Sequence, residues 1–397
     1  MLAYAFMILA ARTLGADAFG RIGALWAALF LGVIVLFRPL EQTTSRSVAD
    51  RRARGEEVRT VVRSVSVIYL LMLVGLGIAA VAGWAEIRDH LFDGSQLLTA
   101  LLFAGIAGYG VQYVVRGLCS GIQWFEGYGI LLMADALVRL AVALPLVVAA
   151  VEGTAAAACA AAGIAGGLAP LWFGRRRLSR AFAAGSGSQF HVGAALAFAG
   201  PASVIAIADQ VLVNGGPLLV MLEGGKHASK TAGIVFAATM LVRVPVYVFQ
   251  GIAASLLPNL TQLQANDDTA LFRRTMGRAA VVLTATTAVI VAGVASIGPT
   301  VMPALFGSDF AVGRAALTYL GFGVGLYLAS ATVSQALLAL DRGIAAAACW
   351  TSGSVVFIAL YLLLPGSALT RTAEGFAAGM GTVLVLLVAA VAKHLRR

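Results

Sequence analysis

The chain has 397 residues, 60% of them hydrophobic and 12% charged, with a mean hydropathy of +0.92. A soluble domain carries about 25% charged residues, so this composition excludes a soluble globular fold and points to a helical protein that crosses a membrane many times. The net charge of +10 arises from 28 Lys and Arg against 18 Asp and Glu, and its distribution among the loops reads as attraction to anionic lipid rather than a nucleic-acid signature.

A helix needs about 20 apolar residues to cross roughly 30 Å of hydrocarbon, because each backbone polar group must be satisfied within it. Residues 1–11, MLAYAFMILAA, are apolar but cover only half that depth at about 1.5 Å per residue. No basic segment precedes them and no soluble domain follows, so they read as the second half of a first helix, not a signal peptide. Full spans follow near 20–40, 60–83, 96–118, 128–150, 154–174, 195–222, 231–257, 279–302, 315–339, 343–364 and 375–392. The expected fold is all-α, with about 12 transmembrane helices of which the first is truncated. The one extended loop expected is the basic stretch near 42–59.

Sorting basic residues by loop gives the orientation. One set of alternate loops holds seven Arg between Arg38 and Arg63, then Arg116, Arg175, Arg176, Arg177, Arg180, Arg273, Arg274, Arg278, Arg342, Lys393, Arg396 and Arg397. The opposite loops hold only Arg12, Arg21, Arg88, Lys226, Lys230, Arg314 and Arg371, while Arg139 and Arg243 fall within spans. By the positive-inside rule the richer set is cytoplasmic, and with it the C-terminus.

The chain also repeats. RTVVRSVSV at 59–67 leads to LFDGS at 91–95, as RTMGRAAVV at 274–282 leads to LFGSD at 305–309. The reading is two six-helix halves, 1–174 and 191–397, joined by a basic, Gly/Ser-rich linker at 175–190. Halves with even helix numbers keep one orientation, so the repeat is parallel, and transporters built this way bind cargo between the halves near the midplane.

Three segments carry a resemblance to a known family. ARTLGADAFGRIGALWAALFLG at 11–32, LFRPLEQTTSRSVADRRARGEE at 36–57 and MLVRVPVYVFQGIAASLLPNLTQL at 240–263 resemble the polysaccharide-biosynthesis flippases of the multidrug/oligosaccharidyl-lipid/polysaccharide exporter superfamily, with the Wzx-type O-antigen flippases as best-known members. The resemblance covers nearly the whole chain. It implies two six-helix bundles forming a V around a central cavity in the bacterial cytoplasmic membrane. It also implies movement of an undecaprenyl-pyrophosphate-linked oligosaccharide to the outer leaflet, beside a polysaccharide polymerase or other assembly proteins and with the chain acting as a monomer. Family members carry a complete first helix, and this chain departs from them there.

Such a cargo needs a wet, cationic cavity. Arg suits a diphosphate because its planar fork makes paired hydrogen bonds and keeps its charge when desolvated. A charge at span depth is costly and faces a cavity or a partner, which makes Arg243 the first candidate for diphosphate binding; its alternatives are snorkelling or a pair with Asp209. Asp135 and Arg139 stand four apart with the acid first, the favourable order for a same-face ion pair, and Arg139 can still touch cargo from such a pair. Arg38, near Glu41, and Arg12 lie at opposite span ends, as entry contacts or as solvated helix ends. Asp209 lies between Pro201 and the Gly215-Gly216-Pro217 run, which permits kinks or unwinding. It is a candidate for coupling a proton or sodium ion to a change of shape, as is Asp135.

The GxxxG pairs, Gly117/Gly121 among them, signal close helix packing. Cys119, Cys159 and Cys349 imply neither a disulfide framework nor a metal site. No nucleotide motif and no cofactor motif appears, so ATP is not the direct energy source. A multidrug antiporter of the same superfamily predicts an acidic or aromatic cavity instead, a lipid II flippase generally has helices beyond twelve, and a membrane-embedded enzyme predicts a large outer loop.

Overall fold

A computed structural model describes residues 2–145, 152–183, 192–246, 269–340 and 342–395. Its helices are α1 Leu2–Ala53, α2 Arg59–Leu91, α3 Gln96–Gly121, α4 Phe125–Ala143, α5 Glu152–Phe173, α6 Arg175–Ala183, α7 Val192–Glu223, α8 Ala228–Val242, α9 Thr269–Phe306, α10 Arg314–Ala339, α11 Gly343–Leu363 and α12 Ala368–Leu395. A 3-10 turn, Ser308–Phe310, precedes α10. Among the described residues ten helices are long and apolar enough to span a membrane. The protein is an all-α polytopic membrane protein. Two expected spans account for the difference from twelve. Residues 2–14 run on into α1 across a break at Gly15, where φ is +75°, a value that costs an L side chain strain. The span expected at 128–150 emerges as α4, which carries Glu126, Asp135 and Arg139, and its last residues lie outside the described ones.

Two expectations need correction. Helix α1 does not end near residue 40 but continues to Ala53, so most of the expected basic loop is helix. Its extension is held by α3. A Cβ on Gly117 would stand 2.6 Å from the Glu41 carbonyl oxygen, and one on Gly121 2.7 Å from that of Ser45, so these two glycines let the backbones touch. The Ser45 hydroxyl donates to that of Ser120 at 3.0 Å. Arg51, expected on the lipid surface, is buried and donates to the Glu57 carbonyl at 3.0 Å and to Thr60 Oγ1 at 2.6 Å, closing the turn into α2. The Gly215-Gly216-Pro217 run, which permits unwinding, leaves α7 continuous. Gly215 instead accepts the Phe357 ring, and Gly216 the Thr372 methyl.

The chain divides into two compact units, Met1–Ile207 with Gly224–Lys226, and Ala208–Glu223 with His227–Arg397. Each unit has the same internal packing order. In the first, α5 packs against α3 and α4, and α3 against α1 and α2; in the second, α12 packs against α10 and α11, and α10 against α9 and α8. Aligning the first residues of α3 and α10, Gln96 and Arg314, sets Gly105 against Gly323, Tyr109 against Tyr327 and Gln112 against Ser330. Even the loop ties recur. Arg21 pairs with Asp93 at 3.3 Å in the first unit, and Lys230 pairs with Asp309 at 3.2 Å in the second, each acid lying in the LFDGS or LFGSD segment.

Candidate functional site

In the first unit the polar groups gather at the midpoint of α3. The Arg139 guanidinium donates to Asp135 Oδ2 at 2.8 Å and to the Tyr109 hydroxyl, which donates onward to Asp135 Oδ1 at 2.9 Å. The guanidinium carbon lies 4.9 Å from the centre of the Trp26 ring, a cation–π contact, and Trp26, Phe30 and Tyr109 continue as a row of tilted rings. Helix α5 makes room for this. Its run of Ala and Gly brings Gly163 against the Tyr109 ring and Gly166 against the Gln112 amide. Arg139 is 4% exposed and Gln112 2%, yet Arg139 Nε and Gln112 Oε1 have no hydrogen-bond partner. A buried cluster with a spare donor and a spare acceptor is incompletely satisfied, which marks a place where ions, water or a second conformation belong.

The repeat shows what the fold itself requires there. Helices α4 and α11 align from Phe125 and Gly343, which sets Asp135 against Gly353 and Arg139 against Phe357. The second unit packs the same position with no charge: Gly353 meets the backbone of Gly379, and Phe357 fills the space beside Gly215 and Gly375. Packing therefore does not demand the Asp135–Arg139 pair. A buried ion pair is at best marginally stabilising relative to apolar packing, so stability alone does not account for it.

A second cluster in this unit lies about two turns further along α3. Arg38 donates to Glu41 Oε2 at 3.2 Å, and Arg116 Nε lies 3.4 Å from Glu41 Oε1 without aiming its N–H at it. Arg116 also donates to the Tyr128 hydroxyl at 2.7 Å and stacks on Tyr113, 4.6 Å from the ring centre. Two cations thus share one carboxylate, leaving a net positive centre with Arg38 partly open to solvent. Arg12 is exposed, on the segment of α1 before Gly15.

In the second unit Arg243 sits where α8 stops. Pro245 has no N–H to give to the Leu241 carbonyl and its ring crowds that oxygen, so the helix breaks and Arg243 becomes its C-cap. Its Nη1 donates to Asn214 Oδ1 at 3.3 Å, Asn214 Nδ2 to Gln210 Oε1 at 2.7 Å, and Gln210 Nε2 to Asp209 Oδ2 at 2.9 Å. The two groups considered as a direct pair, Arg243 and Asp209, are thereby the ends of one hydrogen-bonded chain along α7. At one end of this unit Glu223 accepts from Arg371 at 2.6 Å and from the Tyr361 hydroxyl at 2.6 Å, tying α7, α11 and α12 together.

Sequence reasoning thus found Asp135 with Arg139, Arg38 with Glu41, and the residues at both ends of the Asp209–Arg243 chain. It missed Tyr109, Gln112, Arg116, Gln210 and Asn214. The i, i+4 spacing of Gln210 and Asn214 beside Asp209 was a usable signal; Arg116 was counted as a loop residue, and Tyr109 had none.

No family model matches the chain. It is similar to an uncharacterized protein of Mycobacterium tuberculosis, 29% identical over 404 residues spanning 97% of this chain and 88% of the relative. A second uncharacterized protein of that organism is 28% identical over 412 residues, 98% of this chain and 88% of the relative. Among solved structures it resembles a multidrug-resistance transporter of the MATE family, of the MOP superfamily, in its inward-facing conformation, with a TM-score of 0.78 at 15% identity over 98% of this chain and 93% of that one. It also resembles the lipid II flippase MurJ, with a TM-score of 0.73 at 12% identity over 98% and 85%. The chain has the fold of these transporters.

Proposed function

We propose that the chain is a flippase that moves a diphosphate-linked, polyprenyl-anchored oligosaccharide across the bacterial cytoplasmic membrane, for cell-surface polysaccharide assembly beside a polymerase. The observation that carries the reading is the Asp135–Arg139 pair, a buried charged element that the homologous packing of the second unit does without. With Arg243 it makes two guanidinium groups at span depth, the group best matched to a diphosphate. In this reading Arg243, part-buried at the α8 break, takes the diphosphate, and Arg38 with Arg116 offers first contact to the anionic head. Arg139 offers a further guanidinium within the first unit when its pair with Asp135 opens, and Asp135 and Asp209 carry the coupling ion. Arg12 serves the opposite end, the richer basic set faces the cytoplasm, and the protein acts as a monomer.

The test is a leaflet-accessibility assay in proteoliposomes with a fluorescent undecaprenyl-pyrophosphate oligosaccharide. Movement with the natural chain and its loss in Arg243→Ala is the expected result. Movement unchanged by Arg243→Ala overturns the diphosphate role. Absence of movement with the natural chain, alongside efflux of an organic cation that Asp209→Asn abolishes, supports the antiporter reading in its place.

A further inference from the structure

Within the second unit α7 packs with apolar side chains, and Leu212, Leu218, Val220 and Met221 are all buried. Among them it also carries two amides. Asn214 is 5% exposed, and Gln210, one turn earlier, is part-buried. A buried amide costs free energy unless its polar atoms are paired, so leucine at either place would serve packing better. What the amides supply is a connection. Arg243 Nη1 donates to Asn214 Oδ1 at 3.3 Å, Asn214 Nδ2 to Gln210 Oε1 at 2.7 Å and Gln210 Nε2 to Asp209 Oδ2 at 2.9 Å, so every donor points towards the carboxylate.

The two ends dictate that direction. A guanidinium only donates and an ionised carboxylate only accepts, so each amide turns its oxygen to the Arg243 side and its nitrogen to the Asp209 side. Bonds in such a chain polarise one another. A protonated Asp209 gains an O–H to donate. Donating it to Gln210 Oε1 turns that amide round, and Asn214 must turn in response. Asn214 Nδ2 then meets Arg243 Nη1, donor against donor. The chain thus has two directions, and only one of them holds Arg243.

We propose that Gln210 and Asn214 are positioning residues through which a proton on Asp209 releases Arg243 for a diphosphate. The inference rests on the roles that the flippase reading above gives to Asp209 and Arg243. Coupling is reciprocal: a diphosphate that takes the Arg243 N–H groups leaves Asn214 Oδ1 without its donor and frees the amides to turn, so Asp209 takes up a proton from water as the anion binds. The other charged and titratable groups on the neighbouring helices are engaged or distant, with one exception. On α8, Lys230 pairs with Asp309, and Tyr361 of α11 and Arg371 of α12 are held on Glu223 at the last turn of α7. Cys349 of α11 lies before Ser354, whose hydroxyl donates to the Ala208 carbonyl, and Lys393 is exposed at the end of α12. The exception is Glu374, on α12 between Thr372, which meets Gly216, and Gly379, which meets Leu212. It is the acid that competes for the role.

The full chain in nanodiscs is titrated with inorganic pyrophosphate by calorimetry in two buffers of different ionisation enthalpy, which counts the protons taken up with the anion. The natural chain is expected to take up more than Asp209→Asn, while Asn214→Leu and the less buried Gln210→Leu bind pyrophosphate with only the Asp209→Asn uptake. Asp209→Asn should tighten binding about tenfold, within the usual range of coupling, and should have no such effect in the Gln210→Leu chain. Glu374→Gln should leave the uptake unchanged. A second measurement needs no anion: infrared difference spectra across pH follow the Asp209 carboxyl band, identified by its loss in Asp209→Asn. Arg243→Gln should move the midpoint of that band in the natural chain and far less in Gln210→Leu. Equal movement in both means charge acting through space and overturns the relay, as does proton uptake that survives in the relay variants or vanishes in Glu374→Gln. Spectra that behave as expected in a chain that binds no pyrophosphate refute the diphosphate role of Arg243 and leave the relay standing.

Discussion

Because the two units pack alike around α4 and α11, the cost of removing Asp135 can be worked out against an internal reference. In Asp135→Ala the Arg139 guanidinium, 4% exposed, loses a carboxylate at 2.8 Å and keeps only the Tyr109 oxygen and the Trp26 face. An uncompensated buried charge costs about 3–5 kcal/mol, and the stranded Tyr109 hydroxyl adds about 1 kcal/mol. The double variant Asp135→Gly/Arg139→Phe installs the pair of residues that the second unit uses, Gly353 and Phe357, and removes both charges together. Replacing a buried pair by apolar groups is neutral or stabilising by about 1–4 kcal/mol. The cycle formed by Asp135→Gly, Arg139→Phe and this double variant, the first single stranding Arg139 just as Asp135→Ala does, is thus expected to have a coupling energy of at least about 2 kcal/mol, read from thermal unfolding in one detergent by tryptophan fluorescence. The double variant should fold as well as the natural chain and move no cargo. A double variant no more stable than Asp135→Ala, or coupling under about 0.5 kcal/mol, refutes the claim that packing does not need the charges.

Arg51→Ala should destabilise the first unit by about 1.5–3 kcal/mol, the value of hydrogen bonds to a charged group, and speed proteolysis at residues 54–58, whereas Arg54→Ala, at 64% side-chain exposure, should stay within about 0.5 kcal/mol. Gly117→Ala drives a methyl into the Glu41 carbonyl, so a loss of about 1–3 kcal/mol in unfolding free energy is expected, together with weaker cargo capture if Glu41 positions Arg38 and Arg116. Lys230→Ala and Arg21→Ala break exposed loop pairs and should each change stability by less than about 1 kcal/mol. Gly307→Ala places a side chain at φ +115° and should cost more than about 1 kcal/mol, visible as a lower unfolding temperature.

Hydropathy located the spans because it reports contact with lipid, and the duplicated segments located the repeat because loop chemistry was retained in each copy. Hydropathy is blind where a helix leaves the lipid. Residues 42–53 read as loop for want of apolar residues, yet the glycine face of α3 gives that stretch a helical partner. The same blindness put Arg51 and Arg116 at the surface, since neither sequence shows the Glu57 carbonyl or the Tyr113 ring that receives them. Gly215-Gly216-Pro217 was open to two readings: small residues can loosen a helix or admit a neighbour, and Phe357 with Thr372 decides for the second. Charge spacing found Asp135 with Arg139 because both partners lie on one helix, whereas Tyr109 and Gln112 join them from another helix, where spacing gives no information.

The extension of α1 also fixes where the first unit rides in its membrane. From the break at Gly15 to Ala53 the helix has 38 residues, Pro39 among them, and its axis runs for about 57 Å. At the average tilt of about 20° it spans about 54 Å along the bilayer normal, against about 45 Å for a bilayer with its headgroups. One end must therefore stand in water, and the end that carries Arg46, Arg52 and Arg54 is the one built for it. Those cations act as a float: each that meets an anionic headgroup contributes about 1 kcal/mol, so sinking or rising changes that sum. Through the buried Arg51 turn and the Gly117–Glu41 contact, α2 and α3 are moored to the same depth. The thickness and surface charge of the host bilayer thereby become settings of the first unit, and a lipid mixture that shifts the float shifts the polar clusters of that unit with it.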